Sequence, residues 1–209
     1  MKILVVAATH AEILPFITKV KSNSTHILIT GVGQVLTAFN LTRKILQTDC
    51  DFNLIINAGI AGSFDFNMPL GSVHQVVSDC FSDFGIEDKN LFIPIHKAPF
   101  FQDDIINDQG LITNDFILES LPRSSAITVN TVHGEKNSID RVKKNYPYQL
   151  ESMEGAAFLY VCKALNIKCL QLRAVSNYIT ERNTDSWKIN LAIENLNKNL
   201  INIVDSISN

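Results

Sequence analysis

Neither paired cysteines nor a substantial basic cluster is present in this 209-residue chain. Its four cysteines, Cys50, Cys80, Cys162 and Cys169, form no C-x-x-C pair. Two of them sit in apolar runs, where a free thiol packs as a small hydrophobe, so a reduced, cytoplasmic setting is expected. The net charge is -3. Only "RVKK", residues 141–144, concentrates positive charge, too little for the electrostatic footprint of a nucleic-acid binder. No apolar run is long enough to span a membrane. The N-terminal "MKILVVAATHAE" has one lysine and meets His10 and Glu12 too soon for a signal peptide. Repeats, low-complexity tracts and linkers are absent as well. With 46% hydrophobic and 19% charged residues, composition is that of an ordinary globular protein, and one domain over residues 1–209 with a small-molecule ligand is the expectation.

What is present is a series of continuous apolar runs: "ILVVAA", "HILITG", "NLIINAG", "HQVVSD", "AITVNTV" and "CLQLRAVS". Strands covered on both faces read this way, and their alternation with helical patterns predicts an α/β architecture with a mostly parallel or mixed sheet. Helices are expected at 35–47 and 138–145. A last helix carries Ile193, Leu196, Leu200, Val204 and Ile207 as one apolar stripe. Residues 85–125 look like a long irregular excursion with one short helix near "NDFILESL", and such excursions are lids, oligomer contacts or plain surface loop.

Several short motifs weaken on inspection. "HAE" at residues 10–12 lacks the P-C-x-x-C that would complete a zinc deaminase site. "DFG" at residues 83–85 has no catalytic-loop partner. "TGVGQVLTA", residues 30–38, lacks the third glycine of a dinucleotide fingerprint, so a tight strand-to-helix turn is expected. "NAGIAGS", residues 57–63, reads as a second small-residue turn whose backbone could approach a ligand closely.

Two carboxylates stand out. Glu12 follows the first strand, at the end of the sheet where ligands of open α/β folds bind, a position that equally suits a first-turn helix glutamate. Glu154, inside "LESMEGAAFLYVCKAL", enters an apolar surround and needs either a cap-like role or a partner that arrives later. "RAVSNYITERN" brings Ser176, Asn177 and Arg182 to the same end of the sheet.

Taken in order, the N-terminal strand leading to Glu12, "TGVGQVLTA", "NAGIAGS", "SMEGAAFLYVC" and "RAVSN" resemble the nucleoside phosphorylase and nucleosidase superfamily over nearly the whole chain. Within it, the chain resembles the hydrolases that cleave purine nucleosides. The resemblance implies a three-layer α/β/α sandwich around a central mixed, mostly parallel sheet, no metal or organic cofactor, and a homo-oligomer. It further implies that Glu12 activates water, that Glu154 of the M-E pair binds the ribose hydroxyls and stabilises the cationic sugar, and that Met153, Ala61 and Gly62 line the pocket. The early segment "ATHAEILPFITK" offers none of the phosphate-holding arginines of the phosphorylases, so hydrolysis is expected. Asn177 replaces the aspartate of the 6-aminopurine enzymes and is the expected selector of a 6-oxopurine. No stacking aromatic is evident after "VNTV"; Phe84 and His133 are the candidates.

Overall fold

The computed structural model describes residues 1–20, 24–47, 51–89 and 91–208, so Cys50 lies outside the described residues. The strands, in chain order, are β1 (Ile3–Ala7), β2 (Thr25–Ile29), β3 (Leu54–Ser63), β4 (Val73–Phe81), β5 (Gly85–Asp88), β6 (Leu91–Pro94), β7 (Ile112–Thr113), β8 (Arg123–Thr128), β9 (Leu150–Ser152) and β10 (Cys169–Tyr178). All but the β5–β6 hairpin join one mixed sheet of eight strands. β2, β1 and β3 run parallel at one side. Beyond β3 the sheet curls, because β10 pairs with both β3 and β4, and β4 leads through β8 and β9 back to β3. Those strands close a ring that the apolar runs alone do not disclose.

The continuous apolar runs follow from burial on both faces. In β1, Ile3, Val5 and Ala7 face one core and Leu4 and Val6 the other, and none is exposed. Burying each such aliphatic side chain contributes roughly 1.5–3 kcal/mol. Helices α1 (His10–Lys19) and α5 (Ile189–Ser208) cover the first face through Ile13, Phe16, Leu196, Leu200 and Val204. Helices α2 (Gln34–Gln47) and α4 (Gly155–Ala164) cover the second through Leu41, Phe158, Leu159 and Cys162. Helix α3 (Lys136–Asn145) packs Ile139 and Val142 against Ile127 and Val129. This is the expected α/β/α layering.

Three local expectations are corrected. "NAGIAGS" is no turn: it continues β3 to Ser63, held by its pairing with β10. "NDFILESL" forms no helix. Its backbone is captured by Gln75, whose Oε1 accepts from Leu118 N–H at 2.8 Å while its Nε2 donates to the Phe116 carbonyl at 3.4 Å, and Phe116, Leu118 and Leu121 pack on the first core. In α5, Ile193 leaves the apolar stripe and lines a cavity, while Ala192 and Ile203 complete the buried face.

Candidate active site

The carboxyl ends of β1, β3 and β10 open into a cavity of about 430 Å³. Glu12, Ala61, Gly62, Met153, Glu154 and Asn177 all line it. A larger cleft of about 730 Å³ lies at the amino end of β10, beside Lys168 and Cys169, and contains none of these residues. Ligands of open α/β sheets bind beyond the carboxyl ends of strands, which favours the smaller cavity. None of the described residues of 85–125 lines it. Phe84 packs edge-on against Phe81 and Phe101 away from it, whereas His133 is in its wall.

Glu12 is the third residue of α1 and closes a capping box with Thr9. Its Oε2 accepts from Thr9 N–H at 3.0 Å and Thr9 Oγ1–H at 2.9 Å, and its Oε1 accepts from Ile60 N–H at 3.2 Å. The helix-start role and a position in the cavity therefore coexist. Asn197 fixes the same turn from α5. Pro15 interrupts α1, and Asn197 bridges the gap, accepting from Phe16 N–H at 2.9 Å and donating to the Glu12 carbonyl at 2.8 Å.

Glu154 precedes α4 and makes no side-chain cap. Its Oε1 instead accepts from Gly33 N–H at 2.9 Å, across 121 residues of sequence. Gly31 and Gly33 take φ of 87° and 100°, values that suit glycine, so the "TGVGQ" turn can present that N–H. Burial pushes the Glu154 carboxyl above its ordinary range, opposed by the Arg173 guanidinium and the Gly33 N–H, with the nearby Glu12 carboxylate pushing it further up.

Arg173 holds these acids from behind. It is 1% exposed; its Nη1 donates to the Leu172 carbonyl at 2.9 Å, and its Nε has no hydrogen-bond partner among the described residues. Burial lowers its pKa, against the opposing charges of Glu154, Glu12 and Asp79. A buried guanidinium without such carboxylates would cost several kcal/mol. Gly59 permits the approach: a Cβ there would stand 3.0 Å from Glu12 Oε1 and 3.4 Å from Arg173 Nη1. Asp79 lies deeper, bonded to Gln171 Nε2, Thr128 Oγ1 and Cys80 N, and burial raises its pKa to about 6. A side chain on Gly155 would run into Asp79 and Gln171.

Asn177 sits on β10, beyond Arg173 toward the carboxyl end of the strand. Ser176 Oγ–H donates to its Oδ1 at 2.8 Å, and its Nδ2 donates to the Tyr178 carbonyl at 3.2 Å, which leaves one N–H for a ligand. That Nδ2 lies over Gly62, where a Cβ would meet it at 3.3 Å. Arg182 reaches the rim and stacks on Trp187 at 5.1 Å. Among the described residues no group of His, Cys, Asp and Glu side chains is placed to hold a metal ion, and no helix is long and apolar enough to cross a membrane.

Sequence reasoning misses Arg173, Asn197, Asp79 and Glu151, and it names His133 only as a candidate to stack on the base. Arg173 stands in a strand run and Asn197 in a helix stripe. The signal available is a charge in an otherwise apolar run, the same signal that exposes Glu154.

The cavity's relatives are identifiable. A futalosine hydrolase of Streptomyces coelicolor is 27% identical over 173 residues, covering 80% of this chain and 73% of the relative. A 5'-methylthioadenosine/S-adenosylhomocysteine nucleosidase of Buchnera aphidicola is 28% identical over 194 residues, covering 87% and 75%. Among solved structures, a nucleosidase of that second kind from Helicobacter pylori superposes with TM-score 0.80 at 16% identity, covering 99% of this chain and 98% of that one. The native futalosine hydrolase of Helicobacter pylori gives 0.78 at 17%, with coverage of 99% and 98%. Residues 5–208 match the Phosphorylase superfamily, and the chain belongs to that family.

Proposed function

We propose that the protein is an N-glycosyl hydrolase of purine nucleosides and that its substrate is futalosine, from which water releases hypoxanthine in menaquinone synthesis. The observation that carries this reading is the convergence of Glu12, Glu154 and Asn177 on one cavity. Of the two sequence relatives described above, one is a futalosine hydrolase and the other a nucleosidase by name, and "ESMEGAAFLYVC" and "RAVSNYITERN" resemble the futalosine-cleaving branch.

In this reading Glu12 orients the attacking water and takes its proton, a task for a fixed carboxylate within hydrogen-bond reach. Glu154 accepts from the ribose hydroxyls, and its charge matters most as the C1'–N bond breaks and the sugar becomes cationic. Arg173 sets a buried positive charge behind Glu154 and Glu12, so it is a positioning residue. Met153, Ala61 and Gly62 line the base and sugar pocket, and no cofactor takes part. Exposed Val35 and Phe39 on α2, with Val32 at the cavity, support a homo-oligomer. Free Cys80, Cys162 and Cys169 fit a reducing cytoplasm.

The alternative is hydrolysis of a 6-aminopurine nucleoside such as methylthioadenosine. Asn177 favours futalosine. Its remaining N–H suits an acceptor on a 6-oxopurine, whereas an aspartate would set a carboxylate against the Tyr178 carbonyl unless it kept a proton. A pure binder would gain little from two adjacent carboxylates, so binding without turnover is disfavoured. Asn177→Asp should shift the kcat/KM ratio of matched hypoxanthine and adenine nucleosides by roughly tenfold to a hundredfold toward adenine. An unchanged ratio with both rates equally reduced would remove Asn177 as selector.

A further inference from the structure

We propose that His133, oriented by Glu151, is the catalytic residue that protonates the departing base, an inference that rests on the purine nucleosidase reading above. Gly62 of β3 is matched in register to Glu151 of β9 on one side and to Asn177 of β10 on the other. Register-matched residues project to the same face, and adjacent strands lie about 4.8 Å apart, so Glu151 and Asn177 stand roughly 10 Å apart across a residue with no side chain. Ile179 fills the space directly over Gly62, where a Cβ would meet it at 2.8 Å, and the cavity of about 430 Å³ that both residues line with His133 has room beyond it for a fused bicyclic base.

The Asn177 wall cannot finish the chemistry. An amide does not give up a proton, and one of its two N–H groups is already committed to Tyr178. The Glu151 wall can. Glu151 Oε1 accepts from His133 N–H at 3.0 Å, and Oε2 is paired with His133 Nδ1. Its side chain is 3% exposed, against 17% for His133. Nε2 is left with no hydrogen bond among the described residues and is not walled in. An imidazole whose Nδ1–H is committed to a carboxylate can take a solvent proton at Nε2 and hand it on.

The step balances. As C1'–N breaks, its electron pair moves into the purine, the water oxygen bonds to C1', Glu12 takes a water proton, and His133 Nε2–H passes to a ring nitrogen of the base. Hypoxanthine leaves neutral, and solvent then removes the proton from Glu12 and restores that of His133. Glu151 acts through His133 as a positioning residue.

The test compares futalosine with its N7-methylated derivative, whose base departs without needing a proton. His133→Gln should lower kcat on futalosine by about 10²-fold or more, and on the methylated substrate by less than about tenfold. Glu151→Gln keeps the shape and the bond to the His133 backbone, and should show the same selective loss at smaller size with an unchanged melting temperature. Equal losses on both substrates, or no loss on either, would overturn the inference while leaving the hydrolase reading intact. A wild type that cleaves neither substrate would remove that reading and the inference together.

Discussion

Replacing Glu154 with glutamine changes charge and almost nothing else. The new side-chain amide oxygen can still accept from Gly33 N–H, the hydrogen bond that holds the native carboxylate across the cavity. Stability is set by two opposing effects. Burial holds the Glu154 pKa high, so removing the charge relieves a desolvation penalty; Arg173 loses one counter-charge but keeps Glu12 and Asp79. These should nearly cancel, leaving a change within about 1 kcal/mol, or roughly 4 °C in Tm for a domain of this size. Catalysis has no such compensation. Loss of one group aimed at developing charge typically removes about 10²–10³ in kcat, on the order of 3–4 kcal/mol, with a much smaller effect on KM. The acid limb of kcat/KM in wild type should fall above the ordinary carboxylate range, since the raised Glu154 must be ionised to act, and in the variant that limb should move to lower pH. Steady-state kinetics across the acid-to-neutral range and a thermal melt supply both readouts. A collapsed melt with normal specific activity of the folded fraction would show that Glu154 is structural.

Glu12→Gln should leave folding intact and cut kcat by about 10²-fold or more, because the amide cannot take the water proton; near-normal turnover would reduce Glu12 to its capping box. Asp79 supplies a prediction about stability rather than rate. Its folded pKa of about 6 exceeds the unfolded value of 3.8, so it contributes nothing below both, and stability falls as pH rises between them and stays lowered above. Asp79→Asn abolishes this titration, and an amide flip of Gln171, whose Oε1 has no partner among the described residues, can accept the new N–H. Urea unfolding should show the variant gaining on wild type by on the order of 2–3 kcal/mol between about pH 4 and about pH 7. A constant difference across that range would contradict the raised pKa.

Strands β1, β3, β4, β8 and β10 are legible in the sequence because they are largely buried and leave apolar runs, and half-buried β2 reads the same way; the exposed hairpin β5–β6 and the short β7 and β9 leave none. β3 reads short because alanine and glycine look like a turn; only pairing with β10 shows why they are extended. Closure of the strands into a ring depends on tertiary pairing that no local pattern carries. Glu12 and Glu154 are legible as misplaced charges, but their partners are not: Gly33 lies far earlier in the chain, and Arg173 reads as one polar residue in a strand. Asn177 is legible as a departure from a motif. That its amide keeps a single free N–H depends on Ser176 and the Tyr178 carbonyl, which sequence alone cannot orient.

The central claim is water-driven release of hypoxanthine from futalosine, and product identification tests it most directly. Purified protein would be incubated without phosphate, separately with futalosine, inosine and methylthioadenosine, and the released base identified by chromatography. The account predicts hypoxanthine from futalosine as the fastest release, with adenine from methylthioadenosine far slower. Adenine release as the dominant activity, or no base from any of the three, would contradict it.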